Sequence, residues 1–272
     1  MLRQVMSNDG KTVCVIPSRY GSTRFPGKPL ADVAGRSLVQ RVFEIGRAAQ
    51  GVDEVIVATD DARIAEHVEG FGGRVAMTDP ACRNGTERVH AAVQALDVAP
   101  ARVINLQGDA ALTPPWVLEA VVEEMKAHPE LPIVTPAARL DEGSLALLRE
   151  AKAAGEVGGT SVVFDVNGDA LYFSKALIPF VRDAQGGAPT FRHIGLYGYS
   201  TAGLARFMDL PPSPLELTEG LEQLRALENG MGIRVVEVDY RGRRHLAIDS
   251  PEDLRRVEAL LAEDGELTEP IR

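Results

Sequence analysis

The chain has 272 residues, 45% of them hydrophobic and 25% charged, a make-up that suits a soluble globular protein with a substantial core. Its formal charge of −10 argues against a nucleic-acid-binding surface, which needs a basic footprint. No apolar run reaches membrane-spanning length, so a cytoplasmic protein without a membrane partner is expected.

Residues 1–10 are polar and read as a flexible leader without a signal-peptide core. Val13, Cys14, Val15 and Ile16 then form a short apolar run ending at Pro17, the pattern of a strand buried on both faces. The next stretch changes character. Ser18, Arg19, Gly21, Ser22, Thr23, Arg24, Gly27 and Lys28 combine small residues, hydroxyls and fixed cations. At the carboxyl end of a buried strand, such a loop suits the polyanionic tail of a nucleotide, because glycines let backbone N–H groups approach phosphates while Arg and Lys neutralise charge. Gly27-Lys28 does not make a Walker A loop. Pro29 stands where that motif needs Ser or Thr, and the glycine spacing is one residue too long.

The run PSRYGSTRFPGKPL resembles the signature loop of the sugar-nucleotide cytidylyltransferases of the CMP-Kdo synthetase (3-deoxy-manno-octulosonate cytidylyltransferase) family. Matching segments continue to about Glu263. The resemblance implies a Mg²⁺-dependent reaction of lipopolysaccharide biosynthesis, in which CTP and an acidic eight-carbon sugar give CMP-sugar and pyrophosphate. It also implies that Arg19, Ser22, Arg24 and Lys28 hold the triphosphate.

Further along, residues 37–50 read as a helix stopped by Gly51, and EVIVA at 54–58 as a second buried strand. Thr59-Asp60-Asp61 caps a helix over 64–71, and a short strand follows at 74–77. Strand and helix in alternation predict a doubly wound sheet. Cys14 and Cys82 read as free thiols of a reducing compartment.

Asn84-Gly85-Thr86-Glu87-Arg88 opens the next helix, with Glu87 complementing its dipole. The segment resembles the family's Ser-Gly-Thr-Glu-Arg, which implies that Asn84, Gly85, Thr86 and Arg88 contact cytosine. RVINL at 102–106 is a central strand ending in Gln107-Gly108-Asp109. By itself an aspartate after glycine is usually a turn residue. The match to the family's Gln-Gly-Asp implies that Gln107 contacts the nucleotide and Asp109 holds Mg²⁺. Ala110-Ala111 replaces the family's Glu-Pro or Gln-Pro, which removes a polar group beside the metal.

A helix starts at Pro114-Pro115-Trp116, a strand covers 133–137, and 140–157 carries a short amphipathic helix with a glycine-rich exit. Residues 161–166 and 170–173 read as a hairpin around Asn167-Gly168-Asp169. Lys175 stands at the family's arginine, so charge toward an acidic sugar remains while the bidentate fork is lost. Residues 182–189 form a polar, glycine-rich loop suited to a mobile cover. Residues 191–199 read as one strand, in which His193 is either a satisfied core histidine or, by resemblance, a sugar ligand with Tyr197 on the same face. A helix is predicted over 217–228, where Gln223 is implied in the sugar pocket, and a strand over 233–238. Ser250 caps the closing helix, and the resemblance makes Asp249 the second metal ligand.

The expected architecture is an α/β, Rossmann-like nucleotide-diphospho-sugar transferase fold, with a mostly parallel central sheet and a smaller second sheet contributed by the later half. It spans 11–265 as one domain, with a nucleotide half at about 11–138, a sugar half at about 159–250 and a tail at 266–272. The implied catalytic residues are Lys28, Asp109 and Asp249, the implied sugar ligands Lys175, His193, Tyr197 and Gln223, and the implied assembly a homodimer. Two alternatives stay open: a related acidic sugar such as an amino-substituted Kdo, or a catalytically silent nucleotide-binding protein.

Overall fold

The structure is a computed structural model that describes residues 10–21, 24–182 and 189–271. The leader at 1–9, Ser22 and the greater part of the 182–189 loop lie outside the described residues. In chain order come β1 (Thr12–Ser18), a 3₁₀ turn (Lys28–Leu30), β2 (Asp32–Val33), β3 (Arg36–Ser37), α1 (Leu38–Ala48), β4 (Glu54–Thr59), α2 (Ala62–Gly70), β5 (Arg74–Met77) and α3 (Gly85–Gln94). Next are β6 (Arg102–Leu106), α4 (Pro115–Ala127), β7 (Ile133–Arg139), α5 (Glu142–Ala153), β8 (Ser161–Phe164) and β9 (Ala170–Ser174). The last are β10 (Phe191–His193), β11 (Leu196–Ser200), α6 (Thr201–Asp209), α7 (Pro214–Glu219), α8 (Leu224–Glu228), β12 (Arg234–Val238) and α9 (Pro251–Asp264).

β1 lies between two parallel neighbours, with Val15 opposite Ile56 of β4 and Asn105 of β6. Its alternate residues serve opposite cores, as the period of a strand requires. Cys14 and Ile16 pack with Leu38, Ile45, Leu118 and Val257 from α1, α4 and α9. Val13 and Val15 pack with Val89, Leu204, Phe207 and Leu224 from α3, α6 and α8. Side-chain caps start the helices near the cleft. Asn84 accepts from the Glu87 N–H at 2.8 Å, and Ser250 with Asp253 forms a capping box on α9.

The described strands form one large mixed sheet and a separate pair. β5, β4, β1 and β6 run parallel, and β12 runs parallel to β7. β11, β10, β8 and β9 join through antiparallel pairings. The small second sheet is the β2–β3 hairpin of the first half, so the later half extends the central sheet instead of building its own.

Three local expectations are corrected. The strand predicted over 191–199 breaks at Ile194–Gly195 into β10, which pairs with β7 and β8, and β11, which pairs with β6 and β7. The helix predicted over 217–228 is two helices, because Gly220 takes a left-handed conformation (φ 62°) and ends α7. α6 was not anticipated.

Candidate active site

The first loop turns back on itself at Gly27, whose φ of 72° lies in the left-handed region and whose N–H donates to Tyr20 O at 2.9 Å. This aims Lys28, at the start of the 3₁₀ turn, toward two distant segments. Its ammonium donates to Ile248 O at 2.6 Å and to Asp109 Oδ2 at 3.1 Å, and lies 3.5 Å from Asp249 Oδ1. Arg24 reaches Asp249 at 3.2 Å from a far more exposed position. Asp109 follows β6, Asp249 precedes the N-cap of α9, and the Ile248 N–H donates to Asp109 O at 3.2 Å. The fold thus brings both aspartates to one cation.

Beside this knot is a cavity of about 340 Å³ lined by Arg19, Arg24, Lys28, Asn84, Gly85, Arg88, Gln107, Asp109 and Asp249, within the size range of small-molecule sites. Glycine is needed where backbone meets backbone: a Cβ on Gly108 would stand 2.7 Å from Pro17 O. The charge of Arg88 is partly engaged inside the protein, donating to Thr78 Oγ1 at 2.6 Å and lying 3.2 Å from Asp60. Gln107 donates to the buried Asn105 Oδ1 at 2.9 Å, which fixes its amide orientation. Thr86 is buried and does not line the cavity; its hydroxyl donates to Glu222 at 2.7 Å, alongside the Asn84 amide at 2.9 Å.

Lys175, His193, Tyr197 and Gln223 lie outside that lining, and Tyr197 packs against the second core. The His193 and Tyr197 rings are 5.5 Å apart, and His193 meets Phe173 edge-on. The Thr135 hydroxyl donates to Leu196 O at 2.7 Å, so the network assigns the shared proton with His193 (2.8 Å) to Nε2. Burial, helped by the charge of Lys175, lowers the His193 pKa to about 3. Burial also pushes the Tyr197 phenol well up, so both rings are neutral. The Lys175 N–H donates to Glu219, which also accepts from the Ser174 hydroxyl at 2.7 Å. Gln223 is buried, and its Nε2 has no partner.

Two residues given no site role from the sequence are prominent here. Ser18 lines the cavity with 3% exposure, and its hydroxyl has no partner. Only its place in the hydroxyl-rich loop pointed to it. Glu222 joins the 84–86 segment to α8's entry, and burial raises its pKa. Its sequence neighbour Gln223 had drawn the attention.

Cations and carboxylates gathered beyond parallel strand ends, around a cavity of this size, make a binding site of the α/β nucleotide-binding kind. The family model described as cytidylyltransferase matches residues 13–233. The chain is 55% identical over 255 residues to the 3-deoxy-manno-octulosonate cytidylyltransferase of Maricaulis maris (strain MCS10), covering 94% of this chain and 98% of that one. It is 47% identical to the same enzyme of Anaeromyxobacter sp. (strain K), covering 91% and 96%. A solved CMP:2-keto-3-deoxy-manno-octonic acid synthetase complexed with CTP superposes with a TM-score of 0.83 at 37% identity, over 93% of this chain and 99% of that one. The chain belongs to the cytidylyltransferase family.

Proposed function

We propose that this enzyme joins CTP to the acidic eight-carbon sugar 3-deoxy-manno-octulosonate, giving CMP-sugar and pyrophosphate. The relatives' names support the substrate pair. The observation that carries the chemistry is the convergence of Lys28 on Asp109 and Asp249 at the mouth of a cation-lined cavity. Reactions of this kind depend on positioning and charge neutralisation more than on covalent help.

Arg19, Arg24 and Lys28 bind the triphosphate. Lys28 is a point charge on a flexible stem, so it re-aims from carboxylate to phosphate without backbone movement. Asn84, Gly85 and Gln107 present polar groups to the base, with Thr86 and Arg88 bracing them from beneath. Lys175, His193, Tyr197 and Gln223 orient the acidic sugar, whose anomeric hydroxyl attacks the α-phosphorus while pyrophosphate leaves.

Two carboxylates that share one cation fit Mg²⁺, which takes one or two carboxylates and completes its shell with substrate oxygens and water. Asp109 and Asp249 would hold it. When bound it supplies Lewis-acid neutralisation of phosphate charge. Among the described residues no helix is long and apolar enough to cross a membrane, and the two cysteines are free. The free thiols support a cytoplasmic setting, as expected in a reducing compartment. A homodimer is carried over from the family resemblance alone.

The test is pyrophosphate release with each NTP against a panel of acidic sugars, including amino-substituted ones. Turnover is expected with CTP and 3-deoxy-manno-octulosonate, and Asp109→Asn should abolish it. Full activity of that variant would refute the assignment of Asp109. Tight CTP binding without turnover on any sugar would favour the silent binder.

A further inference from the structure

Outside the cavity lining, two buried arginines flank the start of α1, Arg36 on β3 and Arg41 within the helix. Arg36 is 8% exposed and Arg41 4%. Buried guanidinium groups need carboxylates, and among the described residues one comes from their own neighbourhood. Arg36 donates to the buried Glu44 at 2.6 Å. The other is Glu266, beyond the end of α9, which pairs with Arg36 and accepts from Arg41 at 2.7 Å. Two cations and two anions balance only when the chain's end is in place. The tail is then fixed further: Arg36 reaches Thr268 O at 3.4 Å, and the Ile271 N–H donates to Glu44 at 3.0 Å.

The same groups grip the β2–β3 hairpin. Arg41 donates to Val33 O at 2.5 Å and to Ala34 O at 2.8 Å, while the Ala34 N–H donates to Glu258 of α9 at 3.0 Å. Ala34 is left-handed (φ 48°), a conformation costly for alanine that these bonds hold in place. This hairpin follows directly on the turn that carries Lys28. α9 begins two residues after Asp249 and spans roughly 20 Å at 1.5 Å per residue. The two segments that meet at Lys28 and Asp249 therefore meet again at mid-helix and at the helix end, and such contacts fix both the place and the tilt of a rod.

We propose that Glu266, with Glu258, is a positioning residue: the C-terminal tail braces α9 against the β2–β3 hairpin so that Asp249 stays within reach of Lys28. The inference rests on Lys28 and Asp249 serving cytidylyl transfer. Pyrophosphate release by the unmodified enzyme checks that reading separately.

The experiment uses the full chain with Glu266→Gln, Glu258→Ala and Glu266→Asp, reading amide hydrogen exchange at 248–253 together with kcat and KM for CTP. Exchange does not depend on turnover, so it tests the brace even if the reading of the reaction fails. Glu266→Gln is expected to speed exchange at 248–253 and to lower kcat by on the order of tenfold, because misplacing a catalytic group by about 1 Å costs up to about a hundredfold. KM for CTP should stay within about twofold, and Glu266→Asp should recover most of the loss. If Glu266→Gln fails to fold, Glu258→Ala, which removes the one acceptor for the Ala34 N–H, carries the same readouts. A lower melting temperature with unchanged exchange at 248–253 and unchanged kcat would overturn the proposal and leave the tail a stability clamp.

Discussion

Ser18 keeps a hydroxyl in a nearly closed position without any protein partner, at the wall of the cation-lined cavity. Leaving a buried polar group unmatched costs about 1–3 kcal/mol, so the group is most economically explained by a substrate atom that completes it. Ser18→Ala should raise KM for CTP by roughly five- to tenfold, which corresponds to about 1 kcal/mol, while kcat stays near wild type and the melting temperature of the free enzyme rises. Steady-state kinetics with varied CTP check this. His193 makes a second prediction. Its folded pKa is depressed from 6.5 to about 3, so its stabilising contribution is complete above pH 6.5 and is lost as pH falls toward 3. Urea unfolding at pH 7, 5 and 4 should show this loss. His193→Gln, which keeps a donor for Thr135, should flatten it. The same shift means that His193 shows no titration in the pH–rate profile between pH 5 and 8.

The elements that were legible in the sequence are those whose pattern is local. β1, β4 and β6 announce themselves as short apolar runs because both faces are covered, and the caps at Asn84 and Ser250 are side chains that must lie next to the helices they start. The division at Gly220 was missed because apolar spacing over 217–228 hid a single left-handed residue. The membership of β8 to β11 in the central sheet was missed because antiparallel pairing partners leave no mark in a single strand. In the site, the joining of Asp109 and Asp249 came from resemblance, since residues so remote in sequence carry no local signal of proximity. The junction of β1 with the loop after β6 is equally specific. A methyl group on Gly108 would strike Pro17 O, a backbone atom that no rotamer change can move. Gly108→Ala should cost about 1–3 kcal/mol of stability by thermal unfolding and lower kcat/KM beyond that, as strand end and Asp109 separate.

At the scale of the molecule, an acidic body of charge −10 presents a cationic cleft. Arg24, 70% exposed, is open to screening, whereas Lys28, 15% exposed, is much less so. Raising the salt from about 50 to 500 mM, well past the point where the Debye length drops below about 10 Å, should raise KM for CTP several-fold with little effect on kcat. Chelating divalent cations should stop pyrophosphate release yet leave the melting temperature unchanged, because Lys28 already neutralises Asp109 and Asp249 within the fold.

Glu222 has a consequence that reaches across the protein. One carboxylate accepts from both Asn84 and Thr86, and its neighbour Gln223 is buried with an unpartnered Nε2. If Gln223 holds the sugar as proposed, a ligand on either side of this carboxylate should shift the affinity for the other by the same factor. Calorimetric titration of either substrate in the presence of an unreactive analogue of the other should reveal synergy of equal size in both directions, and Glu222→Ala should erase it.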